Sequence, residues 1–332
     1  MSSLIETYAE EKKREGSWTP KTEQEARAIF DLLLRIVGDL PVASIGYETA
    51  RNYKSTLQKL PSSINIRPDT RGKSIKEILS AHLALPKMAV RTINKHLVIV
   101  GSLFEWMKRH GHVKENFFSG MGLQDRRQPQ EMRDAFDADD LEKMFSTEFY
   151  TQRKMSHPHQ YWVPLIGLYT GARIEEICQL KVDDIHEIDG VLVFDINDEG
   201  DDKKLKTSSS RRIIPVHSRL AAHGLFRYCE MLKQKGFEQL FPELRRTRDG
   251  YSQAVSKWFS RYKKQCGIES TKKTFHSFRH TVADALKQKG VAAEKIGALL
   301  GHADPSMTTG RYGKAYGAKV MQDVVEMLEF GV

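Results

Sequence analysis

Four short stretches in the second half of the chain carry residue types that suit reaction at a phosphate. The first is TGARIEEICQL, in which Arg173 follows small residues at a predicted helix start. A guanidinium held there, beside backbone amides, can grip a phosphate through paired hydrogen bonds. Taken alone, such an arginine is more often an exposed helix-capping residue.

The second stretch is a lysine-rich turn that contains Lys203, Lys204 and Lys206. A lysine at the tip of a two-stranded hairpin can enter a DNA groove and donate a proton. Such a run of charge is normally only a solvated loop. We expect that simpler role for Lys203 and Lys204.

The third stretch, TFHSFRHTVADAL, places His276 and Arg279 three residues apart. That spacing predicts that both side chains lie on one face of a helix. His280 follows, and we expect it to support the site or the core rather than to react.

The fourth stretch, LLGHADPSMTTGRYGK, predicts a turn between two helices. Gly301 closes the first helix, His302 lies in the turn, and Tyr312 falls about two turns into the second helix. A lone tyrosine in such a place is usually a core or surface residue, so the motif needs its context.

The elements that must position these residues are mostly helical, with one small sheet. The clearest helix is Val90 to Arg109, whose apolar stripe leaves His96 on the polar face. Val191 to Asn197 and Arg211 to His217 are predicted strands, joined by the polar turn that holds the lysines.

Length and charge favour two domains. A chain of 332 residues is long for one core. Residues 1–130 hold 21 Lys and Arg against 14 Asp and Glu, whereas the remainder holds 31 against 29. Most of the formal charge of +9 therefore lies in the first segment, which suggests a polyanion such as nucleic acid as partner. The polar segment 121–133 predicts a linker between residues 1–120 and 134–332.

Several classes of protein are excluded. The three cysteines are scattered, without a CxxC pair, which argues against a disulfide framework and a structural zinc site. No apolar stretch approaches the roughly 18 residues that span a membrane, and the N-terminus lacks a secretion signal. We therefore expect a cytoplasmic protein. We expect no metal and no cofactor, and the sequence has no GxxxxGK[ST] loop for ATP.

In chain order, six residues resemble the catalytic set of the tyrosine recombinases, also called phage integrases: Arg173, Lys206, His276, Arg279, His302 and Tyr312. The similarity covers almost the whole chain. TINKHLVIVGSLFEWMKRHGHVKENFFSGM resembles the last helices of that family's core-binding domain. TGARIEEICQL, LKT…RRIIPVH, HSFRH and LLGH…RY resemble its catalytic boxes, and their order and spacing are far more specific than any one motif.

The resemblance implies a mostly α fold with a small antiparallel sheet, in which residues 1–120 form a helical core-type DNA-binding domain and residues 134–332 a mixed α/β catalytic domain. Arg173, His276, Arg279 and His302 would surround the scissile phosphate. Lys206 would protonate the departing 5′ oxygen, and Tyr312 would form a 3′-phosphotyrosine without metal or ATP. The implied partners are double-stranded DNA and three further copies in a homotetramer on it, with room for accessory DNA-bending proteins.

Two alternative functions remain open, and the sequence departs from the family pattern at one point. A DNA-binding regulator on the same scaffold would not cut, and a type IB topoisomerase would use similar chemistry on one strand. The interval from His302 to Tyr312 is ten positions, one longer than is usual in the family. Tyr316 is the other nearby tyrosine.

The tail from Gly313 to Val332 predicts an amphipathic helix, because Val320, Met321, Val324, Val325 and Leu328 recur at helical spacing. The residues alone favour neither packing on its own domain nor packing elsewhere. The resemblance implies that the tail passes to a neighbouring copy in the DNA-bound tetramer.

Overall fold

A computed structural model describes residues 1–64, 67–81, 85–125, 134–302 and 316–332. The chain divides into two compact units, Met1–Arg127 and Gln128–Val332. Each unit has its own apolar core. Across the described ranges, no helix combines the length and the apolar character needed to cross a membrane.

The first unit is helical in its described part. Its helices are α1 (Ser2–Arg14), α2 (Pro20–Val37), a 3-10 turn (Val42–Ser44), α3 (Tyr47–Lys59), α4 (Ile75–Ala81) and α5 (Val90–Arg109). Helix α5 has the predicted bounds and packs against α1, α2 and α3. Leu33, Tyr53 and Phe104 are fully buried between these helices, so the core is apolar.

One expectation for α5 was wrong, because His96 does not lie on a solvent-exposed face. The side chain is buried, and its Nδ1 lies 3.2 Å from the Tyr53 hydroxyl. Burial, with a smaller contribution from the charge of Lys95, lowers the pKa of His96 to about 4. The hydroxyl of Tyr53 on α3 gives the buried, uncharged imidazole a hydrogen-bond partner. The helical periodicity of α5 does not predict that partner.

The described part of the predicted linker, residues 121–125, packs against the first unit. The side chain of Asn94 on α5 donates to the carbonyl of Leu123 and accepts from its amide, at 2.8 and 2.7 Å. The rest of that segment, residues 126–133, lies outside the described residues.

The described part of the second unit contains helices and a small three-stranded sheet. Its helices are α6 (Ala138–Phe145), α7 (Glu148–Thr151), α8 (Pro158–Thr170), α9 (Ile174–Cys178), α10 (Ser218–Ala222), α11 (Leu225–Gln234), α12 (Ser252–Gln265), α13 (Ser277–Gln288), α14 (Ala293–Leu300) and α15 (Ala318–Glu326). Its strands are β1 (Ile185–Ile188), β2 (Val191–Ile196) and β3 (Arg212–Pro215). Helix α8 is buried along almost its whole length and packs against α9 and α13.

The sheet is antiparallel, in the order β1-β2-β3. In the register, Phe194 of β2 pairs with Ile185 on one side and Ile214 on the other. The two predicted strands are β2 and β3, whereas β1 is an addition that its short, partly polar sequence did not predict. The predicted fold class, mostly α with a small antiparallel sheet, is confirmed.

The predicted tail helix is α15. Met321, Val324, Val325 and Leu328 are buried against the core of the same unit, whereas Val320 is exposed. His217 Nε2 lies 2.9 Å from the Leu328 carbonyl and adds a polar tie. In the single chain the tail therefore packs on its own unit, and its exchange in a DNA-bound tetramer stays a prediction.

Candidate active site

Arg173 is held at the junction between α8 and α9. Helix α8 ends at Gly171, whose φ of 63° lies in the left-handed region and turns the chain sharply. Arg173 then caps α9, with its side chain partly buried at 24% exposure. Its backbone amide donates to a Glu176 carboxylate oxygen at 3.0 Å. The arginine is therefore a fixed, partly buried group rather than a freely solvated cap.

Glu176 joins two arginines beneath this junction. Its carboxylate accepts from Arg173 Nη1 and, at 2.9 Å, from Arg212 Nη2. Burial by itself would raise the pKa of Glu176, but the charges and hydrogen bonds of Arg212 and Arg173 hold it below its ordinary value. The carboxylate therefore stays ionised and fixes both guanidinium groups.

Arg212 comes from β3 and is nearly buried, with 7% side-chain exposure. It also donates to the carbonyls of Leu299 at 2.6 Å and Ser210 at 2.8 Å. Burial lowers its pKa, although Glu176 opposes the shift. Arg212 therefore ties the sheet to the end of α14, directly before His302.

Arg279 lies in the first turn of α13 and is 4% exposed. Its Nη1 donates to the Gly171 carbonyl at 3.1 Å, and its Nη2 has no hydrogen-bond partner among the described residues. Burial first, and then the charges of Arg173 and Arg212, lower the pKa of Arg279 to about 9. A buried guanidinium with a donor that no described residue uses, beside two further arginines, is suited to bind an anion.

The two predicted histidines lie next to this cluster. His276 is half-buried directly before α13, and its backbone carbonyl accepts from the Arg279 amide at 3.1 Å. His302 follows Gly301 at the end of α14. Partial burial, and then the charges of Arg279, Arg173 and Arg212, lower the pKa of His302. An uncharged imidazole at neutral pH can donate one hydrogen bond to a phosphate oxygen.

The lysine loop corrects one expectation. Lys206 is exposed, as a group that reaches DNA must be, and Lys204 is exposed too. Lys203 is not solvated: its side chain is 2% exposed and pairs with Asp184 at 2.6 Å. A carboxylate supplied by the segment before β1 makes that burial possible, and this long-range partner is invisible in a local charge run.

The structure thus brings Arg173, Arg279 and His302 together and places His276 beside them. Lys206 lies on a loop that reaches the same cluster through Ser210, whose hydroxyl lies 3.1 Å from Arg173 Nη1. Tyr312 falls in residues 303–315, outside the described residues. Tyr316 is described and is 41% exposed.

Two residues of the site were missed by sequence reasoning, Glu176 and Arg212. Glu176 follows Arg173 by three positions, the spacing at which a carboxylate reaches back to the start of a helix. The three-residue spacing was therefore visible in the sequence. Arg212 stands beside the exposed Arg211, and nothing local distinguishes which of the two is buried.

Comparison with known proteins identifies the family of the chain. Residues 135–318 match the model of the phage integrase family. Tyrosine recombinase XerD of Listeria innocua is 25% identical over 223 residues, which is 66% of this chain and 70% of XerD. Tyrosine recombinase XerA of Pyrococcus horikoshii is 31% identical over 147 residues, which is 43% of this chain and 47% of XerA.

Solved structures show the same fold. A lambda integrase dimer bound to a COC′ core site superposes with a TM-score of 0.62 at 18% identity, over 92% of this chain and 96% of that one. The Tn1549 transposon integrase in complex with transposon right end DNA gives 0.62 at 19% identity, over 94% and 95%. Together with the match of more than half of the sequence, this shows that the chain belongs to the phage integrase family of tyrosine recombinases.

Proposed function

We propose that the chain is a site-specific DNA recombinase that breaks and rejoins DNA through a 3′-phosphotyrosine on Tyr312, without a metal or ATP. The observation that carries the proposal is the unused Nη2 of buried Arg279 beside Arg173 and Arg212. Glu176 already pairs with Arg173 and Arg212, so a scissile phosphate would give Arg279 the anionic partner that the described residues do not.

In the proposed reaction, the Tyr312 oxygen attacks phosphorus and the bond from phosphorus to the 5′ oxygen breaks. Arg173 and Arg279 neutralise charge on the non-bridging oxygens as it builds, and His276 and His302 donate to the same phosphate. Lys206 gives a proton to the 5′ oxygen, while the Tyr312 hydroxyl gives its own proton to water as it attacks. The phosphotyrosine keeps the energy of the broken bond, so a 5′ hydroxyl from another strand can reverse the step without ATP.

We propose that double-stranded DNA is held by both units, and that four copies assemble on it. The first unit holds 21 Lys and Arg against 14 Asp and Glu, so its excess positive charge suits a phosphate backbone. A lambda integrase tetramer bound to a Holliday junction has a TM-score of 0.61 to this chain at 19% identity, which supports the assembly by its fold.

The covalent step is tested with a nicked suicide substrate, from which the cleaved end diffuses away. We expect the purified chain to form a DNA–protein adduct, and peptide mapping to place the DNA on Tyr312. Tyr312→Phe should abolish the adduct, and the matched control Tyr316→Phe should leave it. Linkage to Tyr316 would contradict the assignment.

Adduct formation, DNA binding and plasmid relaxation together separate the alternative functions. Adduct formation should persist in excess EDTA, and loss that magnesium restores would contradict metal independence. Binding without any adduct would indicate a regulator. Relaxation of supercoiled plasmid without recombinant product would indicate a topoisomerase.

A further inference from the structure

A buried polar cluster lies at the base of the loop that carries Lys206. Lys203 Nζ lies 2.6 Å from both carboxylate oxygens of Asp184 and 2.8 Å from Asn197 Oδ1. Asn197 Nδ2 donates to the same Asp184 at 3.0 Å. The three side chains therefore form a closed set that links the turn before β1, the end of β2 and the loop.

The chain between Lys203 and Lys206 is held further. The Lys204 amide donates at 3.0 Å to Oε1 of Gln179, which is buried after α9. Leu205 packs on the apolar core of the second unit. Three successive residues before Lys206 are thus tied down, each by a different kind of contact.

The chain after Lys206 is anchored on the catalytic cluster itself. The Thr207 hydroxyl lies 3.0 Å from that of Ser210, which lies 3.1 Å from Arg173 Nη1. Lys206, exposed, stands between the two anchors. Its backbone is therefore fixed from both sides while its side chain projects outward.

A contribution to fold stability does not by itself explain why these charged side chains are buried. Removing two charges from water costs about as much as their attraction returns, and apolar residues of similar size would often serve as well. A general acid, in contrast, must stand within hydrogen-bond reach of the oxygen that it protonates. A loop of free conformation would spread a lysine side chain over many positions.

We propose that Lys203, through Asp184 and Asn197, is a positioning residue that fixes the loop presenting Lys206 to the 5′ oxygen. This inference rests on the proposed role of Lys206 as general acid. Its consequence is that breaking the cluster slows proton donation specifically, while DNA binding and the arginine cluster remain intact.

The test uses two DNA substrates in single-turnover cleavage by the full chain at saturating protein. One substrate has the natural 5′ oxygen, and the other has a bridging 5′ sulfur. A thiol ionises near pH 8.5, so a 5′ thiolate leaves without needing a proton. On the oxygen substrate we expect Lys203→Met and Asp184→Asn to slow cleavage about 10²-fold. On the sulfur substrate both should come within about threefold of the unmodified chain, as should Lys206→Ala.

Asp183→Asn is the matched control, because Asp183 precedes Asp184, is 92% exposed and pairs with Lys233 on the surface. It should change neither rate. A double variant, Lys203→Met with Asp184→Leu, is included in case either single variant fails to fold. It replaces the ion pair by apolar residues and therefore leaves no unpaired buried charge. It should show the same loss on oxygen and recovery on sulfur.

The outcomes separate the two hypotheses. One contradicting outcome is that the sulfur substrate restores the cleavage rate of Lys206→Ala but not that of the single variants or the double variant. In that case the cluster does not act through Lys206, and the inference fails. Unchanged cleavage of the oxygen substrate by folded Asp184→Asn would also overturn it. If sulfur does not restore Lys206→Ala, the proposed role of Lys206 fails first.

Discussion

The two units of the chain treat charge in opposite ways. In the described part of the first unit, the buried polar side chains are uncharged, and the core consists of residues such as Leu33 and Phe104. The second unit buries Glu176, Lys203 and Arg279. Among the described residues, the first unit keeps its ionised side chains at least partly exposed to water, whereas the second unit buries several.

This difference fits the two roles in the proposed function. An apolar helical core stabilises a scaffold whose surface charge is available for phosphates at little cost. Buried arginines are unfavourable until an anion arrives, and their fixed positions then favour a transition state over water. Under the proposed function, the second unit holds these charges for reaction rather than for stability.

Arg279→Met gives the largest expected effect. Cleavage of the suicide substrate should fall about 10³-fold, because a fixed donor to the phosphate is removed. The free energy of unfolding should change by less than about 1 kcal/mol, since relief of a buried charge offsets the missing hydrogen bond to Gly171. Single-turnover cleavage and urea unfolding measure the two effects.

Arg227, exposed on α11, supplies the matched control, and Arg227→Met should alter neither quantity. A decrease of several kcal/mol in the stability of Arg279→Met would show that the buried arginine stabilises the fold. The contrast between the units would then break down.

Acid should weaken the first unit through His96, the next largest effect. Its pKa in the folded chain is about 4, below the ordinary value of 6.5. Between pH 6.5 and pH 4, His96 is protonated in the unfolded chain but not in the folded chain. Stability is therefore present above pH 6.5 and is lost as the pH falls toward 4, by up to about 3 kcal/mol.

Urea unfolding at pH 7 and pH 4.5 measures this loss. His96→Gln should be less sensitive to acid than the unmodified chain, while His112→Gln, at an exposed position, should behave like the unmodified chain. Equal acid sensitivity in all three would show that buried His96 does not control the acid response of the first unit.

Salt gives the smallest and most distributed effect. The first unit carries an excess of seven positive charges, so binding of the full chain should weaken with salt more steeply than binding of residues 134–332. Each phosphate that the shorter chain leaves without a cationic partner should flatten the logarithmic slope by about 0.9. Filter binding over a salt series measures both slopes, and identical slopes would exclude the first unit as a DNA clamp.

Sequence reasoning was strong where the signal was local. The bounds of α5 follow from a helical apolar repeat, and the family follows from motifs in a fixed order. The predicted strands Val191–Asn197 and Arg211–His217 correspond to β2 and β3, because each is a short run of mostly apolar, β-branched residues next to a polar turn. Such patterns are determined by the residues themselves.

Sequence reasoning failed where a distant partner decides the outcome. His96 is buried because Tyr53 meets it, and Lys203 is buried because Asp184 does. Arg212 is buried, unlike its neighbour Arg211, because it reaches Glu176 and α14. In each case the side chain's own neighbourhood in the sequence predicts solvent, and a tertiary contact overrides it.

The missing side chain at Gly171 makes mutations in two distant boxes depend on each other. A Cβ there would lie 2.5 Å from Leu300 Cδ2, two residues before His302. Its left-handed backbone adds about 1–2 kcal/mol for any other residue. Leu300→Val would remove this contact, whereas the backbone cost and the 3.3 Å contacts with Val282 would remain. Gly171→Ala should therefore be better tolerated in that background than alone. The effect of a substitution at Gly171, in the first catalytic box, would thus depend on the residue at Leu300, in the last. Directed evolution of new recombinases from this chain would need paired changes at these two positions to alter the contact.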